Sequence, residues 1–490
     1  MSNNTFESDH WTGQLRQLDL PGGIETVLDG SERDFSLLQA PFAEIGELTV
    51  LGYSSQGPAH AMNLRNSLQA AGLDTRVSVA LREGSATRLR AETDGFTEEG
   101  GTLVTPEVGL RRADMALMLI SDAGMAEMGQ DYLDFLRPDA VVGMAHGLFK
   151  GFVENRGQQI RPDLRTIGVC PKGMGPSVRR LYEQGSGINA SAAWEEDPED
   201  RDLALAWSYG IGAPFTFRTT LDNERLSDLV GERAILLGAV HGLLEAAYIN
   251  ELSLGQYQRD AYLYTVESLV RGISRTISEA GLRGVYEALD DFDKEDFVRS
   301  YNAAYPVFRT VTEKIYRDVK SGREVEEVYE DGVNNMPMSN VAGTEMWDVG
   351  AKVRAEEGDG LDNFHDINPI VAGLYVAGMM AQIDVLRQNG HHWSEIINES
   401  VIEAVDSLNP YMKKRGVDYM VDNCSVTARR GGRKWGPVFQ AWLLQEVFPK
   451  LNSSSEAITG TSFDEFLNHP AHSAFNTLSQ LRPSQSIAVV

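Results

Sequence analysis

Two pairs of acidic residues have the types and spacing to bind a divalent metal. Asp228 and Glu232 are four residues apart within an apolar stretch, and Glu399 and Glu403 repeat that spacing far downstream. On a helix, this spacing puts both carboxylates on one face, about 5–6 Å apart at Cβ. Mg²⁺ takes oxygen ligands and keeps part of its water shell. The two pairs therefore predict a shared cation cage, whereas one such pair alone is usually a solvated helix face.

Two further polar residues follow predicted strands. His146 comes after the apolar run 140–144, and Lys172 comes after the apolar run 166–170. In a parallel sheet, ligands bind beyond the carboxyl ends of the strands. We therefore expect His146 and Lys172 to face a substrate, and the alternative for each is a loop residue with a local hydrogen bond. Ser425 is a further candidate, as a hydroxyl donor to substrate.

A glycine-rich segment, Gly52-Tyr53-Ser54-Ser55-Gln56-Gly57, separates the predicted strand 48–51 from a predicted helix. This is the setting of the dinucleotide fingerprint G-x-G-x-x-G, in which a helix N-terminus binds the pyrophosphate. Ser54 stands where the fingerprint has its middle glycine, the position that the pyrophosphate approaches closely. The motif predicts nucleotide binding, and an ordinary tight turn is the alternative.

The segment after the second predicted strand bears on which nucleotide is bound. An acidic residue there binds the ribose of NAD, whereas arginine accommodates the 2′-phosphate of NADP. Arg82, with hydroxyl groups at Ser85 and Thr87, forms a plausible phosphate cradle, and Glu83 is an ambiguous neighbour. The segment therefore favours NADPH.

The elements that must position these residues differ between the two halves of the chain. Short apolar runs near residues 48–51, 77–81, 116–120, 140–144 and 166–170 alternate with helical stretches and predict a doubly wound parallel sheet. Residues 1–45 are expected to be an arm, and the acidic run 195–200 a surface loop. Beyond about residue 202, helical periodicity dominates, and the apolar run 369–381 is predicted to be a buried helix too short to span a bilayer.

Composition excludes some classes of partner. The 490 residues include 44 basic and 71 acidic side chains, giving a net charge of −27. Nucleic acids and anionic membranes need cationic partners and are therefore not expected. Two cysteines predict no disulfide framework. The acidic, lysine-poor composition suits a high-salt cytoplasm, and an acidic protein of an ordinary cytoplasm is the alternative.

Four longer stretches resemble ketol-acid reductoisomerase (acetohydroxyacid isomeroreductase) in its long, plant-like class II form. They are Val169–Tyr182, Ser227–Gly242, Ser394–Pro410 and Tyr419–Arg429. The resemblance implies an N-terminal NADPH-binding Rossmann domain at 1–208 and an all-α, knotted C-terminal domain that is an internal duplication. Its two halves are expected at 209–350 and 351–490.

The resemblance also implies roles for individual residues. Asp228 bridges two Mg²⁺ ions, Glu232 completes one metal site, and Glu399 and Glu403 serve the second metal and the substrate. Ser425 binds the substrate, and His146 and Lys172 flank the reacting centre. The implied cofactor-binding residues are Gly52, Tyr53, Ser54, Ser55, Gln56, Gly57, Arg82, Ser85, Thr87, Ser121 and Gly175. Family members usually have glycine at the position of Ser54 and a basic residue at that of Glu83, so this chain departs from the family within the cofactor site.

The implied reaction is Mg²⁺-dependent alkyl migration of 2-acetolactate or 2-aceto-2-hydroxybutyrate, followed by NADPH reduction, in valine and isoleucine biosynthesis. Glu403 or a metal-bound hydroxide acts as the base. The alternatives are another NAD(P)-dependent hydroxyacid dehydrogenase or a nucleotide-binding paralogue without catalysis. A homodimer or higher homo-oligomer is expected. Since the polar segment Met1–Glu7 shows no targeting peptide, a bacterial cytoplasmic location is expected.

Overall fold

In a computed structural model of the chain, which describes residues 4–334, 336–453 and 462–482, ten strands form one sheet. Their order is β1-β2-β10-β9-β8-β7-β6-β3-β4-β5. The strands are β1 Leu15–Leu20, β2 Gly23–Asp29, β3 Glu47–Leu51, β4 Arg76–Ala80, β5 Leu103–Val104, β6 Met115–Met118, β7 Val141–Met144, β8 Arg165–Pro171, β9 Ala190–Ala193 and β10 Phe215–Thr219.

The six strands from β5 to β8 run parallel, which confirms the predicted Rossmann-like architecture. Every residue of β3, β6 and β7 is buried, as expected for strands covered by helices on both faces. The helices of this region are α1 Gln56–Ala70, α2 Arg88–Thr93, α3 Pro106–Arg112, α4 Asp122–Asp134, α5 Leu148–Asn155, α6 Gly175–Glu183, α7 Pro198–Gly210 and α8 Leu221–Arg233.

The sheet is larger than the sequence predicted, because antiparallel strands extend one edge. Residues 1–45 are not only an arm: β1 and β2 form a hairpin, and β2 pairs antiparallel with β10. Strand β9 pairs antiparallel with β8 and parallel with β10. The acidic run 195–200 is also not wholly a loop, since Asp197 caps α7 by accepting a hydrogen bond from the Glu199 amide.

The chain divides into two compact units. Among the described residues, the first unit runs to Arg225 and includes 325–336 and 480–482, whereas the second comprises 226–324 and 337–479. The expected boundary after residue 208 falls inside α7, and the first unit continues through β10. The expected boundary after residue 350 falls within helix Glu345–Glu357. The knot and the internal duplication remain predictions.

The second unit contains helices and no strand in its described part. Its α-helices, together with α13, which enters the first unit, are α9 Gly238–Ser253, α10 Gln258–Tyr262, α11 Ser274–Glu287, α12 Asp291–Lys320, α13 Arg323–Val333, α14 Glu345–Glu357, α15 Pro369–Gln388, α16 Trp393–Ile397, α17 Asn409–Arg415, α18 Val417–Asn423, α19 Val426–Trp442, α20 Phe448–Ser453, α21 Ser462–Leu467 and α22 Ala471–Leu478. Four segments are π-helical: Leu263–Ile273, Asn398–Ile402, Ala404–Leu408 and Leu443–Val447.

Helix α15 is the apolar centre of this unit. It begins at an N-cap, where Asn368 accepts hydrogen bonds from the amides of Ile370 and Val371, and it packs along α12. At 20 residues it extends beyond the predicted run 369–381 and is long and apolar enough to cross a membrane. However, 83% of its most apolar window is buried within the protein, which is typical of a core helix.

Candidate active site

The glycine-rich segment forms a tight turn between β3 and α1. Gly52 has φ +98°, and a Cβ on it would lie 2.5 Å from the carbonyl oxygen of Leu119. A Cβ on Gly57 would lie 2.3 Å from the carbonyl oxygen of Gly52. Both glycines are therefore required by close backbone packing, which brings the α1 N-terminus against the end of the strand. Ser54 and Ser55 are exposed at this turn.

The turn also contacts the loop that carries Lys172. A Cβ on Gly175 would lie 2.1 Å from the carbonyl oxygen of Ser55, and the Gln56 side-chain amide donates to the carbonyl of Gly173 at 3.0 Å. Tyr53 instead points into the core, where its hydroxyl donates to Asp94 at 2.8 Å. Only the backbone of Tyr53 is thus placed for a role in cofactor binding.

The loop after β4 borders a cavity of about 410 Å³. Ser85 and Thr87 lie together, with their hydroxyl oxygens 3.1 Å apart. Among the residues of this loop, Glu83 lines the cavity, whereas Arg82 lies near Tyr132. The predicted phosphate cradle is therefore only partly assembled.

A second arginine lines the same cavity. Arg88 pairs with Glu98, which also lines the cavity, and lies 3.6 Å from Glu92. The cavity wall thus carries two carboxylates, Glu83 and Glu98, for the one guanidinium of Arg88.

Ser121 and His146 lie beyond neighbouring strands. Ser121 is the N-cap of α4 and accepts a hydrogen bond from the Gly124 amide at 3.3 Å. The His146 Nδ1 accepts from the Leu148 amide at 3.2 Å, which leaves the proton on Nε2. That Nε2 lies 3.2 Å from Asp122, so the carboxylate orients the imidazole. Asp122 was not identified from the sequence.

Lys172 is buried beside Glu224, a residue that the sequence analysis missed. The Lys172 Nζ lies 3.9 Å from Glu224 Oε1, and both side chains are at most 5% exposed. Glu224 Oε2 accepts from the Gly147 amide at 2.8 Å, so it joins the loops that carry His146 and Lys172. The available signal was spacing, since Glu224 precedes Asp228 by four residues on α8.

In the helical unit, the two carboxylate segments lie side by side. A Cβ on Gly231, between Asp228 and Glu232, would be 3.6 Å from the carbonyl oxygen of Glu399. The buried amide of Gln382 accepts from the Ile235 backbone amide at 3.1 Å and donates to the carbonyl of Glu399 at 3.2 Å. The chain thus brings together the segments that the sequence paired across 171 residues, from Asp228 to Glu399.

The second pair differs from prediction in local structure. Glu399 lies on the π-helix Asn398–Ile402, and Glu403 lies between that segment and the next π-helix. π-helical turns are rare and frequently occur at functional sites. Glu399 is fully buried, and Ser227 donates to Glu395, one turn earlier, at 2.6 Å.

Ser425 and Cys424 lie at the same place. Ser425 caps α19, accepting from the Ala428 amide at 3.0 Å, and donates to Glu232 at 3.3 Å. Burial, reinforced by the charges of Glu232, Glu403 and Asp228, raises the pKa of the Cys424 thiol to about 12. Three of the four predicted carboxylates therefore lie close enough to one thiol to raise its pKa.

Glu232 is also fixed by a buried arginine. Arg233 lies 3.3 Å from Glu232 Oε2 and donates through Nε to Glu324 at 2.6 Å. Lys434 donates to the other oxygen of Glu324 at 2.7 Å. Burial alone would raise the pKa of Glu324, but Arg233 and Lys434 together lower it.

Within the described residues, no three His, Cys, Asp or Glu side chains are grouped closely enough to hold a metal ion. The donor set nevertheless fits a hard cation, because all four predicted side chains offer carboxylate oxygens and Ser425 adds a hydroxyl.

Comparison with known proteins identifies the family. A family model for the acetohydroxy acid isomeroreductase NADPH-binding domain matches residues 45–216, and one for the ketol-acid reductoisomerase C-terminal domain matches 221–357. Chloroplastic ketol-acid reductoisomerase of Spinacia oleracea is 42% identical over 503 residues, covering 100% of this chain and 84% of the relative. The Pisum sativum enzyme is 42% identical over 488 residues, covering 96% and 84%. The chain belongs to the ketol-acid reductoisomerase family.

A solved structure supports the fold. An NADH-preferring ketol-acid reductoisomerase from an uncultured archean matches with TM-score 0.56 and 19% identity, covering 67% of this chain and 98% of that one. Membership of the ketol-acid reductoisomerase family confirms the predicted oxidoreductase activity, a nucleotide cofactor and small-molecule substrates. The predicted cytoplasmic location is wrong, because the relatives at 42% identity are chloroplastic enzymes.

Proposed function

We propose that the chain converts 2-acetolactate or 2-aceto-2-hydroxybutyrate to the corresponding 2,3-dihydroxy-3-methyl acid in valine and isoleucine biosynthesis, with two Mg²⁺ ions and NADPH. The observation that carries the proposal is the packing of the Asp228 and Glu232 helix against the Glu399 segment. Side by side, these segments offer the carboxylate oxygens that Mg²⁺ prefers as ligands.

Asp228, Glu232, Glu399 and Glu403 would hold the Mg²⁺ ions. When bound, the ions polarise the ketone and tertiary alcohol of the substrate, and NADPH supplies hydride. The chain's own residues do the rest. Glu403 acts as base for the alcohol proton, and the Ser425 hydroxyl, now donating to Glu232, is positioned to donate to substrate oxygen instead.

His146 and Lys172 would act on the nucleotide side. His146 presents a protonated Nε2 whose orientation Asp122 fixes, so it donates rather than accepts. Lys172 keeps a buried positive charge beside Glu224, suited to balancing negative charge that develops on a substrate oxygen. Glu224 is a positioning residue, because it contacts the Gly147 amide as well as Lys172.

We propose NADPH as the preferred nucleotide, held by Gly52 to Gly57, Arg82, Ser85, Thr87, Ser121 and Gly175. The glycine turn supports binding of a pyrophosphate, and the two hydroxyls support a 2′-phosphate. Glu83 on the cavity wall opposes this preference, since a carboxylate repels a phosphate. We therefore expect the discrimination against NADH to be weak.

The first test is oxidation of NADPH by the purified full-length chain with racemic 2-acetolactate, with Mg²⁺ or with EDTA. Mg²⁺-dependent oxidation is expected. Oxidation that persists in EDTA would favour another hydroxyacid dehydrogenase. Absence of oxidation with both NADPH and NADH would favour a paralogue without catalysis.

A charge reversal at the cavity tests the cofactor proposal. Glu83→Lys should raise the ratio of kcat/KM for NADPH to that for NADH by about tenfold. The substitution replaces a carboxylate, which repels the 2′-phosphate, by an ammonium group, which attracts it. Glu99→Lys, at an exposed position of the same unit, is the matched control and should leave the ratio unchanged. An equal response of both variants would contradict a role for Glu83.

We also propose that the chain assembles as a homodimer or a higher homo-oligomer. Light scattering coupled to size-exclusion chromatography measures this directly. A mass equal to the 54.0 kDa monomer at micromolar concentration would contradict it.

A further inference from the structure

A cavity of about 300 Å³ lies in the helical unit, between α12, α15 and the segment from α21 to α22. Its apolar wall includes Met380 and Phe466, and its polar wall includes Tyr301, Asp384 and Arg387. None of these residues belongs to the carboxylate segments or to the nucleotide turn. Apart from the carboxylate segments, this cavity therefore offers a small molecule both charged groups and apolar surface.

Its negative charge is fixed in position. Asp384 accepts from the Tyr305 hydroxyl at 2.6 Å and lies 3.1 Å from His469 Nε2. His469 Nδ1 accepts from the Ala471 amide, so Nε2 carries the proton and donates to Asp384. Burial alone would raise the pKa of Asp384, but these two hydrogen bonds lower it. Asp384 is therefore a carboxylate at neutral pH, with lone pairs left for a further donor.

Its positive charge comes from two arginines. Arg387 stacks on the Trp393 ring at 5.5 Å, and its guanidinium pairs with no carboxylate among the described residues. Arg309 pairs with Glu313 at 3.0 Å and donates to the Tyr305 hydroxyl at 3.1 Å. The contact with Trp393 holds this exposed guanidinium beside the cavity, and its N–H groups remain available to a planar carboxylate.

The hydroxyl of Tyr301 also lies at the cavity, without a hydrogen-bond partner among the described residues. Tyr301 is 1% exposed and lines the cavity, and no described residue hydrogen-bonds to its hydroxyl. The hydroxyl is therefore available to hydrogen-bond a ligand in the cavity. Glu465, at the rim, adds a second carboxylate that forms no ion pair with described residues.

We propose that this cavity binds an apolar α-amino acid as its zwitterion. Arg387 and Tyr301 would take the carboxylate, and Asp384 and Glu465 the ammonium group. Met380 and Phe466 would cover the apolar side chain. A simple anion would meet the carboxylates of Asp384 and Glu465, and a simple cation would meet Arg387, so a ligand that carries both charges fits both sets.

Calorimetric titration of the full-length chain with L-leucine and two matched analogues tests the charge requirement. The analogue 4-methylpentanoate lacks the ammonium group, and 3-methylbutylamine lacks the carboxylate. L-leucine should bind one site per chain, and each analogue should bind about tenfold or more weakly, since each loses one charge-assisted set of hydrogen bonds.

Variants locate the binding. Arg387→Gln and Tyr301→Phe should weaken L-leucine binding by about tenfold and about threefold, with turnover of 2-acetolactate unchanged. Arg111→Gln is the matched control, because Arg111 is another exposed arginine stacked on an aromatic ring, Phe135, at 5.1 Å. It should bind L-leucine like the parent chain.

Three results would overturn the proposal. They are the absence of L-leucine binding at millimolar concentration, equal binding of 4-methylpentanoate, and unchanged binding by Arg387→Gln. The titration needs neither metal nor nucleotide. Its outcome is therefore independent of the reductoisomerase assay, and either proposal can fail alone.

Discussion

Two Glu-Ser dipeptides of the helical unit occupy the same kind of backbone but carry opposite electrostatics. Glu267-Ser268 lies on the π-helix Leu263–Ile273, and Glu399-Ser400 lies on the π-helix Asn398–Ile402. Both glutamates are fully buried. Each serine hydroxyl accepts a hydrogen bond from α15 or its cap. Ser268 accepts from the amide of Asn368, the N-cap of α15, at 2.8 Å. Ser400 accepts from Gln382 Nε2, farther along α15, at 3.1 Å.

The residue four positions later makes the difference. Arg271 follows Glu267 and donates to one of its oxygens at 2.6 Å, and Arg354 donates to the other at 2.7 Å. Glu403 follows Glu399, so the second segment adds a carboxylate where the first adds a guanidinium. The first glutamate is thus paired with two arginines, whereas the second shares its segment with another carboxylate.

The comparison shows that π-helical backbone alone does not make a metal site. The charge of one residue decides whether a buried glutamate is an internal ion pair or a candidate ligand. Two such similar segments are also what an internal duplication would produce, which remains the prediction drawn from the family resemblance.

The largest expected effect tests the acidic side of the comparison. Glu399→Gln should lower Mg²⁺-dependent turnover of 2-acetolactate by about a thousandfold, because metal polarisation is worth several kcal/mol. NADPH binding, followed by fluorescence, should be unchanged, since the nucleotide turn belongs to the other unit. Turnover within tenfold of the parent would remove Glu399 from the metal site.

The next effect tests the neutralised side. Glu267→Gln should lower the free energy of unfolding by about 3 kcal/mol, because Arg271 and Arg354 would stay buried without their carboxylate. Urea unfolding measures this. Glu279→Gln, which breaks the exposed pair with Arg275, should cost under about 1 kcal/mol. Equal losses of unfolding free energy in the two variants would mean that the buried ion pairs of Glu267 contribute no more to stability than the exposed pair.

A smaller effect concerns the anchor of the acidic segment. Gln382→Leu leaves the Ile235 amide and the Glu399 carbonyl without their buried partner, which should cost about 2 kcal/mol. If Gln382 positions the segment that carries Glu399, this variant should need a higher Mg²⁺ concentration for half-maximal turnover than the parent chain, with an unchanged kcat. A fall in kcat alone would contradict that role.

The smallest effect is a pH shift at Glu324, a second buried carboxylate that is paired with cations. The pKa of Glu324 lies below its ordinary value of 4.5, so its contribution to stability is present above that pH and is lost as pH falls through the folded pKa. Lys434→Gln removes one of its two cations and should move this loss to higher pH. Thermal unfolding across acidic pH measures the shift, which an exposed control, Lys320→Gln, should not show.

Uniform burial made part of the fold predictable. Strands β3, β4, β6, β7 and β8 were identified because their apolar runs are typical of a covered parallel sheet. Strand β9 was missed because its residues, Ala190–Ala193, include no β-branched or aromatic side chain. The β1–β2 hairpin was missed because its signal is weak: β1 is an edge strand in which polar and apolar residues are mixed.

The site was predictable where spacing alone defines it. Both carboxylate pairs follow from four-residue intervals, and the segments that carry them pack against each other, while their shared metal site stays a prediction. Glu224 and Gln382 were missed because their partners, the amides of Gly147 and Ile235, are 77 and 147 residues away. The π-helices were missed because apolar periodicity does not distinguish one extra residue per turn from an ordinary helix.

Gly175 has a consequence for attempts to re-engineer this enzyme. The α-carbon of Gly175 faces the carbonyl of Ser55 with no space for a methyl group. The nucleotide turn and the loop bearing Lys172 are therefore packed so closely that neither can shift without displacing the other. Grafting a longer nucleotide turn from another reductase would push directly on the lysine loop. Cofactor exchange in this scaffold is therefore better pursued by side-chain changes after β4 than by loop transplantation.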